Sequence, residues 1–179
     1  MSLTVANLIT GMLLLALGLP LALNHGSSVT LLKRFPRSQR AAYVCFTVGA
    51  AWFLYAVWHL SPADFGEYRT YLFIGFAAVA VLAFRSVPDF LAVRGVCAIV
   101  LMGAMPLLEA AYMEYDQPLR LFMVSIVYVA IALAIWLGAQ PWRLRDFLGW
   151  LLANPGRTRI FGGALAGYGL LLTLVAFTF

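Results

Sequence analysis

Six apolar runs, each about as long as a membrane is thick, alternate along this chain with short segments that hold most of its charged residues. Because a helix rises about 1.5 Å per residue, roughly 20 residues cross the ~30 Å hydrocarbon core of a bilayer. The sequence therefore predicts an all-α integral membrane protein, a helical bundle with about six spans in three hairpins that forms a single domain over residues 1–179. The predicted spans are 3–23, 41–60, 69–84, 95–113, 121–139 and 160–179.

The composition agrees with a surface that is covered by lipid. Hydrophobic residues make up 64% of the chain and charged residues only 11%, whereas about 25% of the residues in a soluble domain are charged. There are too few polar side chains to cover a folded core in water. A soluble globular domain is therefore excluded.

The third apolar run is the shortest. Arg69 and Arg85 enclose only about 22 Å of helix, less than the thickness of the hydrocarbon core. The span is expected to begin earlier, near Phe65, or to be extended by arginine side chains that reach the head groups. A re-entrant segment is the alternative.

The distribution of basic residues predicts the orientation in the membrane. Ten of the twelve Lys and Arg residues lie in the connections 24–40, 85–94 and 140–159, whereas 61–69 and 114–120 are acidic. Because basic connections stay on the cytoplasmic side, both termini are predicted on the opposite side of the plasma or inner membrane.

The basic side chains at the ends of the spans are expected to contact lipid head groups or a partner protein. They do not line one polar face, so nucleic acid is not an expected partner. The residues assigned to this role are Arg34, Arg37, Arg40, Arg143, Arg145, Arg157 and Arg159.

The segment 142–154 is too polar to span the membrane, but its apolar residues repeat with the period of a helix. An interfacial amphipathic helix is predicted here, lying along the head groups or packed beneath the bundle and ending before Pro155. It either docks a partner or serves only as a connector. Its predicted apolar face consists of Leu144, Phe147, Leu148, Leu151 and Leu152.

Glu109 is the most unusual single residue, because a carboxylate within an apolar run must be protonated, paired or exposed to water. It lies about 21 Å along its predicted span, one turn after Pro106. His59, Asp64 and Tyr112 are predicted at a similar depth on the outer side. One hypothesis is that they form, with Glu109, a polar cluster that handles protons or cations.

The alternative interpretation of these residues is structural. Glu109 then bonds a neighbouring helix or Arg120, while His59 and Tyr112 anchor their helices at the membrane surface.

Small residues indicate where helices approach closely. Gly163 and Gly167 form a GxxxG pair in the last predicted span, and Gly11 and Gly18 lie in the first. The GxxxG pair is interpreted either as internal packing or as a contact between two chains.

The sequence shows no motif for a cofactor or a metal, and none for an enzyme: there is no HExxH, glycine-rich phosphate loop or nucleophile elbow. Three functions remain as hypotheses. The first is a non-enzymatic membrane subunit or assembly factor whose partners are membrane lipids and other membrane chains or a second copy of itself. The second is a small transporter or channel that uses Glu109, and the third is a redox protein that binds haem, quinone or lipid.

Overall fold

The computed structural model describes residues 1–61, 63 and 65–179, and over these residues the chain is helical and has no strand. Two 3₁₀ turns, Phe35–Arg37 and Gly66–Tyr68, accompany the α-helices. The α-helices are α1 (Leu3–Ala22), α2 (Gly26–Arg34), α3 (Gln39–Trp58), α4 (Arg69–Ser86), α5 (Leu91–Ala110), α6 (Arg120–Ala139), α7 (Trp142–Leu151) and α8 (Pro155–Ala176).

Six of these helices, α1, α3, α4, α5, α6 and α8, are long and apolar enough to cross a membrane. The predicted all-α membrane class is therefore confirmed. The third predicted span exists as a continuous helix of 18 residues, about 27 Å long. It includes both arginines and continues one residue past Arg85, to Ser86. A 3₁₀ turn rather than an α-helix follows Phe65, whose φ of 65° is left-handed.

The bounds of two predicted spans differ from those of the structure by three residues or more. The fourth was placed at 95–113, but α5 starts earlier and stops at Ala110; three residues later Met113 takes a φ of 66°, which cannot continue a right-handed helix. The sixth was placed at 160–179, but α8 starts at Pro155. Proline suits the first turn of a helix, and the Asn154 side chain caps this one by accepting from Gly156 N at 2.8 Å.

Two short helices flank the spans. The sequence predicts a connection over 24–40, and the structure forms α2 within it. The predicted amphipathic helix is present as α7, and Leu148, Leu151 and Leu152 at its C-terminal end are buried.

The chain divides into two compact units. The first unit comprises Met1–Arg34, Gly103–Leu133 and Arg145–Phe179, and the second comprises Phe35–Met102 and Ala134–Leu144. Each unit has its own buried side chains.

In the first unit, α1 and α8 run antiparallel and pack along their lengths. Fully buried side chains of three helices, Ala6, Met123 and Leu172, form the centre of its core. A hydrogen bond also joins α8 to α6, because Tyr168 Oη donates to Phe122 O at 2.9 Å.

In the second unit, α5 packs against α3, and Leu91 and Ala92 are almost completely buried there. The helix α4 packs on α3 through aromatic pairs: the rings of Phe53 and Phe76 lie 5.0 Å apart, and those of Phe46 and Phe84 lie 5.2 Å apart. All of α4 lies within the described residues, and none of its residues is buried. It contacts the rest of its unit along one edge.

Candidate functional site

The four residues of the predicted polar cluster do not belong to one unit of the described structure, which therefore does not test the cluster. Glu109 and Tyr112 belong to the first unit and His59 to the second, and Asp64 lies outside the described residues. His59 bonds within its own helix, since its Nδ1 donates to Tyr55 O at 2.8 Å and its ring lies 4.1 Å from the Tyr55 ring. The cluster stays a prediction.

Glu109 lies in the last turn of α5, one residue before the helix ends, and its side chain is exposed. Among the described residues it makes no salt bridge. Arg120, which the sequence offered as a partner, instead donates from Nη1 to Ala111 O at 2.9 Å and stacks on the Tyr115 ring at 4.9 Å. Because the C-terminal end of a helix disfavours a negative charge, helix stability does not explain this carboxylate.

Buried polar side chains in the described part of the chain are Asn7, Thr10 and Thr158. Each donates to a backbone carbonyl of its own unit at 2.9–3.0 Å. These side chains therefore form hydrogen bonds with nearby backbone carbonyl groups, and they do not line a shared pocket. Within the same residues, no group of three or more His, Cys, Asp or Glu is placed to hold a metal ion.

Two of the predicted packing glycines lie where α1 crosses α8. A Cβ at Gly11 would lie 2.6 Å from Thr173 Oγ1, and one at Gly18 would lie 2.5 Å from Ala166 N. On α8 the matching positions are Gly162 and Gly169, whose added Cβ atoms would meet the backbone of α1. Only glycine permits this approach of two helix backbones.

Gly163 and Gly167 are not part of that contact. A Cβ at either position meets no atom within 4 Å, and both residues are exposed. Within the first unit the GxxxG pair does not take part in helix packing, because the packed face of α8 begins one residue earlier, at Gly162. A helix turns about 100° per residue, so this offset moves the pair to the outside of the unit.

The exposed glycine pair belongs to a longer stripe that we call the α8 seam. Its members recur every three or four residues, so they share one face of the helix. All are exposed, and Ile160 keeps 77% of its surface. The α8 seam consists of Ile160, Gly163, Gly167, Leu170 and Leu174.

An apolar groove of about 410 Å³ opens within the second unit between α3, α4 and α5. No charged residue lines it, so a molecule that fills it must itself be apolar. The residues that line it are Phe46, Gly49, Ala50, Phe53, Leu54, Phe76, Val79, Ala80, Ala98, Leu101 and Met102.

The arginines predicted to contact head groups lie at helix ends, and three of them place the guanidinium on an aromatic ring. Such cation–π contacts hold the side chain while its N–H groups stay available for other acceptors. The pairs are Arg37 with Phe90 at 5.6 Å, Arg143 with Trp136 at 5.9 Å and Arg157 with Trp150 at 4.8 Å. Arg145 pairs with Asp146 at 2.7 Å, while Arg34, Arg40 and Arg159 are exposed.

These features define a multi-pass α-helical membrane protein whose distinctive surfaces are helix faces rather than a polar pocket. No protein-family model, curated protein or solved structure matches the chain.

Proposed function

We propose that this chain is a non-enzymatic subunit or accessory protein of a larger membrane complex, and that the α8 seam is where another membrane helix binds. The exposed glycine pair carries the proposal. Lipid gives no hydrophobic drive for helices to associate, so helix pairs in membranes depend on close packing at small residues. Gly163 and Gly167 supply such a surface, since an added Cβ at either position would meet no atom within 4 Å.

The rest of the α8 seam supports this proposal. Ile160, Leu170 and Leu174 extend the glycine pair in both directions and are exposed, so a second helix could pack along about four turns. The small residues in the centre and the large ones at the ends match the shape of a helix laid into a shallow groove. The occupant is either a helix of another protein or α8 of a second copy.

Replacing both Gly163 and Gly167 with isoleucine is expected to release the chain from its complex. Two overpacked positions at ~1–3 kcal/mol each weaken the association at least roughly tenfold. The measurement is the mass of the particle extracted from the native membrane with a mild detergent, compared with 19.7 kDa for one chain. We expect the wild type in a larger particle and the double variant as a single chain.

The matched control is Gly75→Ile in α4, which is also exposed and also has nothing within 4 Å of an added Cβ. This variant should remain in the larger particle. A wild-type protein that leaves its native membrane as a monomer contradicts the proposal, and so does a Gly75→Ile variant that dissociates to the same extent.

The proposed orientation places the basic connections in the cytoplasm and both termini outside, in the plasma or inner membrane. It is tested with single cysteines in a chain whose free Cys45 and Cys97 are replaced by alanine. An impermeant thiol reagent should label Asp116→Cys in intact cells and should label Gln39→Cys only after the cells are opened, since the hydrocarbon core excludes the charged reagent. Equal labelling of both positions in intact cells contradicts this orientation.

A further inference from the structure

Three aromatic rings lie together on the outside of the first unit, where α7 meets α8. The Phe147 ring lies 6.1 Å from that of Trp150 and 5.5 Å, edge to face, from that of Phe161. The exposed fractions of the three residues are 40%, 55% and 36%. We call this group the aromatic corner. Rings so placed present a continuous apolar surface to the surroundings of the unit.

The aromatic corner is held from the inside. Leu148 and Leu151, on another face of α7, are buried within the unit. The Thr158 hydroxyl in the first turn of α8 donates to Leu151 O at 3.0 Å and so ties the two helices together. The Phe147–Phe161 pair also lies between α7 and α8, but the buried leucines and the Thr158 bond hold α7 from its other side, so the outer surfaces of the rings remain exposed.

A positive charge lies on the same surface. The Arg157 guanidinium is 4.8 Å from the centre of the Trp150 ring, and in the described part of the chain it has no acidic partner. The neighbouring acid, Asp146, is already paired with Arg145 at 2.7 Å. A guanidinium held on an indole ring keeps N–H donors at its edge, and these fit two oxygens of a phosphate.

We infer that the aromatic corner and Arg157 bind one anionic phospholipid, with the phosphate at Arg157 and the glycerol and upper acyl chain against the rings. The placement supports a lipid, because α7 is amphipathic and α8 is long and apolar enough to span the membrane. Their junction belongs where head groups meet acyl chains. A free anion would use Arg157 but would leave the rings uncovered. This inference does not depend on the α8 seam or on a partner chain.

The experiment uses the full chain in nanodiscs made from equal parts of phosphatidylglycerol and phosphatidylcholine, released into mild detergent and analysed by native mass spectrometry. We expect wild type to retain phosphatidylglycerol in preference to phosphatidylcholine. Arg157→Gln should reduce that preference roughly tenfold, since it removes a charge-assisted hydrogen bond. Trp150→Leu keeps the positive charge and should also lower the retention of phosphatidylglycerol, because it removes the ring.

Arg159→Gln is the matched control. It removes the same charge two residues away, at an exposed side chain for which the described structure shows no aromatic contact. Its effect should be about twofold or less, as for a solvent-screened surface charge. Unfolding temperatures of the variants in the same detergent show whether each is folded. A further variant, Arg157→Lys, keeps the positive charge but lacks the planar guanidinium group that can donate to two phosphate oxygens.

Several results would overturn the inference. If the two glutamine variants lose the lipid equally, only general surface charge is involved. If inorganic phosphate displaces the lipid from wild type, the rings add nothing and the surface is a simple anion site. If the rings are shielded by a co-purifying protein and no phosphatidylglycerol is retained, the aromatic corner is a protein contact.

Discussion

Gly162→Leu is expected to lower the free energy of unfolding by about 3 kcal/mol, at the upper end of the ~1–3 kcal/mol typical of overpacking. An added Cβ at this position meets Ala22 N, and it lies 2.6 Å from both the carbonyl carbon and the Cβ of Leu21. Backbone atoms cannot move aside as the end of a flexible side chain can. The two helices must separate, and the contacts along α1 and α8 are lost with them.

The measurement is reversible unfolding of the purified chain in mixed micelles, followed by the helical signal. The control is Gly163→Leu, the adjacent residue, where the new side chain meets open space. Its free energy of unfolding should stay within about 0.5 kcal/mol of the wild type. Equal destabilisation by the two variants would contradict the packing of α8 described here. Since Gly163 belongs to the α8 seam, this variant is expected to affect only the association with other chains, which the unfolding of the isolated chain in micelles does not report.

Gly95→Leu is expected to have a comparable effect in the second unit, where α5 crosses α3. A Cβ at Gly95 meets the backbone of Phe46 and lies 2.5 Å from the carbonyl carbon of Cys45. Overpacking against backbone again costs about 3 kcal/mol. Cys97, two residues further along α5, is buried against α6 in the same unit, and it should be exposed more often because a destabilised unit opens more frequently.

The rate at which a thiol reagent labels Cys97 is the measurement, in a chain in which Cys45 is replaced by alanine. We expect the rate to rise more than roughly tenfold over the same chain with Gly95 intact. Gly75→Leu in α4 of the same unit has open space and should leave the rate unchanged. No increase in Gly95→Leu would show that α3 and α5 do not pack at this glycine.

The existence of the six long helices could be predicted from the sequence because a segment that crosses lipid must be apolar over its whole length. It must also form its backbone hydrogen bonds internally, as a helix does. The ends of the helices were less predictable. Hydropathy extended the fourth span to Met113, whereas the chain turns after Ala110, and this places Glu109 in the last helical turn. The start of α8 had a local signal, since Asn154 and Pro155 form a typical N-cap and first turn, but they precede the apolar run.

The packed face of α8 could not be predicted, for a physical reason. In water the buried face of a helix is its apolar face, but in lipid every face is apolar and the periodic signal largely disappears. The sequence offers Gly162, Gly163, Gly167 and Gly169 within two turns, and no rule of composition says which of them meet α1. Periodicity places Phe147 on one face with the leucines of α7, whereas the structure buries Leu148, Leu151 and Leu152 and exposes the Phe147 ring, so the aromatic corner could not be predicted.

The close contact of α1 with α8 sets an order of events during biosynthesis. During synthesis α1 enters the membrane early, whereas α8 is translated only after the intervening helices. Until α8 is inserted, the glycines of α1 face acyl chains. The Asn7 side chain, which is fully buried in the folded unit, is exposed to the same surroundings until α8 packs against α1. Closure of the first unit is thus a late, long-range step, and a ribosome that stalls before Pro155 leaves a nascent chain with an unpaired α1 for membrane quality control to recognise.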